Sequence, residues 1–575
     1  MAELISLCGR GGTVDTYTAA DLETVADRIL PENAPRNVEV VRDDGVLTCR
    51  INAPESLPTH GTSTCLGRLI PRTDDWHDPG APVADGSYGI VRVDSGAIEL
   101  VADATASRTI YYRLFEDLLV ASTSQRAIAH FADEFVPDER AIAWMISSGS
   151  LGPGQAWDAR TEYVPPGGNV RIDRSTWELT ETTTEVSSFF EIKNRSREEH
   201  REELSQSIET TIQNLDIEPD SWVLALSGGM DSRGLIQTLH DRLGLTAITW
   251  GTAEALDHPD SDAVRARELA DAYGIPHEYY ELPQHPSDIG TVFDRFVTAG
   301  EGRIDHISGY LDGFRTFKTL AEDHVGIIRG NNPFGWSAVS SQTQVRRMVG
   351  GQLISDYEVM PSLSIPGADA QQWPAEFAQA DDESLATWRD RLKLTYRLAI
   401  VQSALTSLKT PYIEEINPFL SREIIQTVCT LPDKLRTEKR LYHEYVQQRS
   451  PDVPVATRSA NPDTERLLNS DASIEFLRDR LDTDHARSVL GDELIDHAFN
   501  ELGDSGETTE DESGSVIDTI KREVGSQLPQ SVIQRIEEYT PVERPSISMY
   551  EGRLGFRLYI IVTMSQKLEN DGRVL

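Results

Sequence analysis

Residues 224–232 read Leu224-Ala225-Leu226-Ser227-Gly228-Gly229-Met230-Asp231-Ser232. The apolar run 222–226 predicts a buried strand. A Ser-Gly-Gly turn stops it, and the apolar periodicity of 233–243 predicts a helix. A strand, a tight glycine turn and a helix start together make an anion site. Backbone N–H groups at a helix N-terminus are unpaired, and the helix dipole favours negative charge there. Gly228 and Gly229 permit positive φ and close approach of a ligand. Ser227 and Ser232 can donate hydroxyls to phosphate oxygens, and Asp231 can hold a Mg²⁺ on the same oxygens. The spacing is not the Walker pattern, which requires Gly, four residues, then Gly-Lys-Ser/Thr.

The flanking sequence extends this reading. A helix from 198 with apolar Leu204, Ile208 and Ile212 leads into the strand. A second strand, 245–250, ends at Gly251-Thr252, a helix over 261–273 stops at Gly274, and a strand over 277–282 follows. A further strand, 325–329, ends at Gly330-Asn331-Asn332. Such alternation predicts a parallel sheet with helices on both faces, and ligands then sit at the carboxyl ends of its strands. Beyond about 385 the pattern is mostly helical. Residues 501–515 (ELGDSGETTEDESGS) read as a solvated acidic loop or face.

Before residue 190 the pattern differs. Short alternating segments over 38–41, 47–51, 87–93, 97–101, 109–114 and 118–122, punctuated by Gly, Asp and Pro, predict a β-rich domain. A turn and last hairpin follow at 163–172, and the Thr/Glu/Ser-rich stretch 180–188 reads as a linker.

The 575 residues allow about two to four domains. No run of about 20 apolar residues predicts a membrane span. The start, MAELISLCGRGG, lacks the basic n-region of a signal peptide, so a cytoplasmic location is expected. Cys8, Cys49, Cys65 and Cys429 lack CxxC spacing and suggest neither disulfides nor zinc. The net charge of −40, from 94 acidic and 54 basic residues, argues against nucleic acid as a partner. With Arg exceeding Lys, it fits a haloarchaeal, salt-rich cytoplasm, where a Debye length near 3 Å screens self-repulsion.

SGGMDS resembles the pyrophosphate-binding loop of the ATP pyrophosphatases, which cleave ATP between the α and β phosphates. With the flanking pieces in order, the chain resembles the asparagine synthetase family of the glutamine-dependent type. ITWGT with Asp257–Asp262 and AVRARELADAYGIPHEYYEL is similar to that family's second strand, aspartate and helix. INPFLSREIIQTVCTLPDKLR, residues 416–436, is similar to its segment opening on Pro-Phe-Leu-Asp. In the first half, Asp103 and the pair Tyr111-Tyr112 match a family segment before a strand and helix.

The resemblance implies an α/β and α+β chain. An N-terminal Ntn-hydrolase-like β-rich sandwich (1–185, degenerate glutamine amidotransferase-like) and a linker (186–198) precede the ATP-pyrophosphatase-type domain (199–575). The latter is a parallel-sheet, adenine nucleotide α-hydrolase-like domain with a helical C-terminal part. ATP and Mg²⁺ are the implied cofactors, with a small carboxylate and ammonia or another amine as substrates. Leu226 and Trp250, with Gly251, would bracket the adenine; Ser227, Gly228, Gly229 and Ser232 would hold the pyrophosphate. Asp231 would bind the metal, and Arg329 and Gly330 would close the nucleotide site. Lys439, Arg440 or Arg458 would meet the charge that develops on the leaving pyrophosphate. The family often forms dimers, and nothing in this chain decides whether a homodimer forms.

Two departures qualify this. The family's nucleophile is an N-terminal cysteine, whereas position 2 is Ala and the nearest thiol, Cys8, reads as a small apolar strand residue. Loss of glutamine hydrolysis is therefore expected. The family's Ser-Gly-Glu-Gly-x-Asp-Glu loop is here Arg329-Gly330-Asn331-Asn332-Pro333-Phe334-Gly335-Trp336, without carboxylates. Asp257, Asp260 or Asp262 could contribute in their place. His306, Tyr310, Asp312, Glu414 and Glu415 lie in segments that could face a substrate crevice. The expected function is an AMP-forming, ATP-dependent amide ligase, with aspartate and ammonia as default substrates. A ligase or cyclase for another carboxylate and amine, and a non-catalytic nucleotide-binding scaffold, remain open.

Overall fold

The computed structural model describes residues 3–82, 85–154, 156–184, 186–242, 244–502, 549 and 551–572. Alternating side chains build its first half. The strands are β1 (Glu3–Gly9), β2 (Val38–Asp43), β3 (Val46–Ile51), β4 (Thr59–His60), β5 (Ser63–Ile70) and β6 (Asp85–Val93). They continue with β7 (Ala97–Ala102), β8 (Tyr111–Leu114), β9 (Leu118–Ser122), β10 (Glu162–Tyr163), β11 (Gly168–Asp173) and β12 (Leu179–Thr183). Two antiparallel sheets result, ordered β10-β8-β9-β1-β3-β2 and β12-β11-β7-β6-β5-β4.

Period-two alternation assigns each side chain to a layer. Leu4 and Cys8 of β1 pack between the sheets with Leu66, Val91 and Leu100. Ile5 and Leu7 point the other way, onto Leu22, Val25 and Ile29 of the helix Ala19–Ile29. This is the sandwich the sequence predicts. The stretch 180–188 is not wholly a linker: Leu179–Thr183 pairs with β11 as an edge strand. Its Thr and Glu side chains face solvent, so no apolar alternation marks it.

The second half is a five-stranded parallel sheet of β13 (Trp222–Ala225), β14 (Thr246–Gly251), β15 (His277–Glu281), β16 (Gly326–Ile328) and β17 (Glu414–Ile416), ordered β15-β14-β13-β16-β17. Its two faces are covered by different helices. Leu224 packs with Leu235, Leu239, Ala266 and Leu269; Val223 and Ile327 pack with Phe293, Phe296 and Phe317. The mixed α/β and α+β architecture is thus as expected, with the SGGMDS loop at the carboxyl end of the central strand. The helix after that loop runs Met230–Leu239, starting three residues earlier than its apolar periodicity suggests.

Polar contacts tie the halves together. Asp85 accepts from the N–H groups of Arg422 (2.6 Å) and Glu423 (3.0 Å), at the start of the helix Arg422–Cys429. Arg126 pairs with Asp571 at 2.7 Å, and Arg108 pairs with Glu414. The acidic stretch 501–515 lies outside the described residues except for Glu501 and Leu502. No helix among the described residues is long and apolar enough to cross a membrane.

Candidate nucleotide site

Three strand ends, after β13, β14 and β16, open on one cleft of about 230 Å³. Leu226, Ser227, Asp231, Ser232, Trp250, Arg329 and Gly330 line it, together with Asp262 and Asn331. The loop is held by its own atoms. Ser232 Oγ donates to the Ser227 carbonyl at 2.9 Å and accepts from Ser227 N–H at 3.0 Å. Gly229 N–H donates to Ser227 Oγ at 3.2 Å. The two serines therefore shape the loop, in addition to any phosphate they could contact. Gly229 precedes the helix Met230–Leu239 and provides no side-chain cap, which leaves the positive end of the dipole facing the cleft.

Small residues allow the segments to meet. A Cβ on Gly228 would stand 2.5 Å from both Ala456 Cβ and Arg265 Cβ. One on Gly330 would stand 3.2 Å from the backbone of Asp231 and Ser232, and one on Gly251 would meet the Ala460 carbonyl at 2.5 Å. Gly228 N–H donates to Asp262 Oδ1 at 3.1 Å.

Asp231 and Lys439, separated by 208 residues in sequence, form the central charge pair. Lys439 Nζ donates to both carboxylate oxygens, at 2.6 and 2.7 Å. Tyr442, one turn into the helix Arg440–Gln447, donates to the Asp231 carbonyl at 3.1 Å. Phe334 stacks on the Tyr442 ring at 3.8 Å. The second loop, lacking carboxylates, thus props the first loop with an aromatic side chain. Its asparagines are engaged locally: Asn331 donates to Asn417 Oδ1 at 2.7 Å, and Asn332 donates to the Gly330 carbonyl at 3.1 Å.

Arg329 lies over the Trp250 ring at 5.9 Å and faces Glu415 at 3.5 Å. Glu415 is fully buried; Lys409 meets it at 2.9 Å and Thr406 donates to it at 2.8 Å. Burial raises its carboxyl, but Lys409 and Arg329 outweigh that and hold it at about 2. Tyr310 accepts from Lys409 at 3.4 Å on the inner side of this group.

Other candidates separate from the cleft. Asp260 accepts from Thr457 on the surface, and Asp257 is exposed and does not line it. Arg440 pairs with Glu438 at 3.0 Å, and Arg458 lines a neighbouring cavity with Thr252 and Glu254. Asp312 accepts from Thr316 N–H, starting a helix, and His306 pairs with Asp305. Glu414 pairs with Arg108 beneath the sheet end. Cys8 is fully buried between the sheets, where burial raises its thiol pKa.

Lys393 was not foreseen. It opens the π-helix Lys393–Gln402, is only 9% exposed, and donates to the Gly335 carbonyl at 3.3 Å. Burial, and then Lys439, push its ammonium down to about 7, with Asp231 acting in the opposite direction.

The donors present fit one Mg²⁺ arriving on nucleotide phosphates, since Mg²⁺ then needs only one or two carboxylates. Asp231 would hold it after releasing Lys439. A second metal does not fit. Asp262 is bonded to the loop backbone, the second loop offers only amides, and no cluster of three His, Cys, Asp or Glu forms among the described residues.

No protein-family profile matches the chain, and no curated protein matches it in sequence. Among solved structures it is similar to the allosteric regulatory enzyme of purine biosynthesis, at 11% identity over 48% of this chain and 64% of that chain, with a TM-score of 0.20. It is similar to the glutamine phosphoribosylpyrophosphate amidotransferase of B. subtilis, at 11% identity over 58% of this chain and 83% of that chain, TM-score 0.20. It is also similar to the NH3-dependent NAD synthetase of Campylobacter jejuni, at 16% identity over 24% of this chain and 58% of that chain, TM-score 0.15. The chain spans under two thirds of the first and third of these proteins. The site is therefore read from its own residues.

Proposed function

We propose that the chain is an ATP-dependent, AMP-forming amide ligase of asparagine synthetase type. The observation that carries this reading is the SGGMDS loop at the carboxyl end of the central strand, with an uncapped helix N-terminus and the Asp231–Lys439 pair beside it. A substrate carboxylate oxygen attacks the α-phosphorus of ATP, the α–β bridge bond breaks, and pyrophosphate leaves. An amine nitrogen then attacks the acyl carbon, the single bond from that carbon to the oxygen bridging it to phosphorus breaks, AMP leaves carrying that oxygen, and the amine gives up a proton. A bound Mg²⁺ would neutralise phosphate charge.

The residues divide the work as follows. Backbone N–H groups after Gly229 hold phosphate oxygens, and Trp250 and Leu226 flank the base. Lys439 exchanges Asp231 for the departing pyrophosphate, supplying charge where it develops. Arg329, held by Glu415, faces the carboxylate substrate. Aspartate and ammonia are the default substrates.

The test is carboxylate-dependent release of pyrophosphate and AMP from ATP in molar KCl, with Asp231→Ala alongside. AMP formation lost in the variant supports the reading, whereas ADP as the only product overturns it. The carboxylate-free second loop favours one alternative, a nucleotide-binding scaffold, which predicts ATP binding without turnover.

A further inference from the structure

The sequence of the second loop removes two carboxylates where the resembled family places them. The structure shows what stands there: the Lys393 ammonium is bonded to the Gly335 carbonyl and lies 5.3 Å from the Trp336 ring, both in that loop. Its side chain is buried, and no carboxylate among the described residues pairs with it. Asp390, three residues earlier, is already claimed by Arg389 at 2.8 Å and by Arg436 at 3.1 Å. A buried ammonium without a counter-ion is costly. Such a group sheds its proton easily, and an arriving anion restores the charge and removes the cost.

The surroundings point the same way. The loop that holds Lys393 also meets the segment carrying Lys439: Glu438 donates its N–H to the Trp336 carbonyl at 2.8 Å, and Lys439 in turn holds Asp231. When Asp231 turns to a metal, Lys439 loses its counter-charge and joins Lys393 as an ammonium without a paired carboxylate. The helix Leu385–Leu392 leads directly into the π-helix that Lys393 opens, and π-turns occur frequently at functional sites.

We propose that Lys393 and Lys439 form a paired-ammonium cradle for the β- and γ-phosphates, doing the work of a second metal ion. This rests on the nucleotide reading above. It assigns the chain a one-metal site in which two protein cations replace the missing metal and its carboxylates. Lys393 would bind the diphosphate product rather than the adenylate.

The test is calorimetric titration of the whole protein in molar KCl with inorganic pyrophosphate and, separately, with AMP, each with and without Mg²⁺. Lys393→Met keeps the length and apolar stem of the side chain. It is expected to weaken pyrophosphate binding at least tenfold while leaving AMP binding unchanged, and Lys393→Arg is expected to recover most of the loss. Titration of Mn²⁺ by paramagnetic resonance, with a non-hydrolysable ATP analogue bound, is expected to count one ion per chain. Unchanged pyrophosphate affinity in Lys393→Met, an equal loss for AMP, or two bound Mn²⁺ ions would each overturn the cradle. If the wild type binds neither ATP nor pyrophosphate, the nucleotide reading itself falls.

Discussion

The two halves of this molecule keep their frameworks to different ends. In the first half, the position nearest to a glutaminase nucleophile, Cys8, is packed between two sheets beside Val46 and Leu119, and burial raises its thiol pKa. In the second half, the loop after β13 keeps an open cleft, an uncapped helix start and a charged pair aimed at it. A thiol whose burial outweighs the nearby Arg174 guanidinium is kept from ionising, whereas a charged cleft held by its own hydrogen bonds holds a site ready for an anion. The comparison teaches that a sandwich with a packed interior can serve the neighbouring site as a buttress. Asp85 of the first half supports this, since it meets the first N–H groups of a helix in the second.

Four substitutions would break or sharpen this contrast. The largest effect is expected from Gly228→Ala, whose added Cβ would stand 2.5 Å from two neighbouring Cβ atoms. Displacement of the loop should cost roughly 1–3 kcal/mol of nucleotide binding, read by ATP titration with the melting curve as a control. Wild-type affinity would contradict the geometry of the loop.

Asp85→Ala comes next. It should remove about 1–2 kcal/mol of stability, the usual value of a helix cap, while the KM for ATP stays unchanged. Urea unfolding and steady-state kinetics separate the two, and a shifted KM would mean that the first half acts on the site directly.

Glu301 links the halves through Ser124 and Gln125, and burial, the largest influence, raises its carboxyl from 4.5 to about 6. The folded state therefore holds that proton more tightly. The stabilisation is fully present below pH 4.5 and is lost as pH rises through about 6. Relative to Glu301→Gln, the wild type should lose about 1 kcal/mol between pH 5 and pH 7. A pH-independent difference in unfolding free energy would contradict this. The smallest effect belongs to Cys8→Ala: turnover unchanged, with about 1 kcal/mol of stability lost to the smaller side chain. A loss of glutamine-dependent turnover would instead make Cys8 a working nucleophile.

Much of this was legible in the sequence. Ser227-Gly228-Gly229 after an apolar run marks the loop, because only such a turn interrupts a buried strand in that way. Alternation marks most strands of the sandwich. Three elements were hidden for physical reasons. The strand β17 begins with Glu414 and Glu415, whose burial depends on Lys409 just before the strand and on Arg108 and Arg329, far away in sequence. The strand β12 is polar because it is an exposed edge. Lys393 carries no local mark, since an unpaired buried lysine and a surface lysine look alike until the fold removes the carboxylates around one of them. Ser227 and Ser232 were foreseen as phosphate donors, and their bonds to one another appear only once the turn is formed.

The most direct test of the central claim, a working synthetase site beside a silent glutaminase fold, is pyrophosphate release from ATP and Mg²⁺ with aspartate. It is run in molar KCl with either ammonia or glutamine as the nitrogen source. The account predicts turnover with ammonia and none with glutamine. Equal turnover with glutamine would contradict it, and so would the absence of pyrophosphate release with ammonia across a panel of carboxylates.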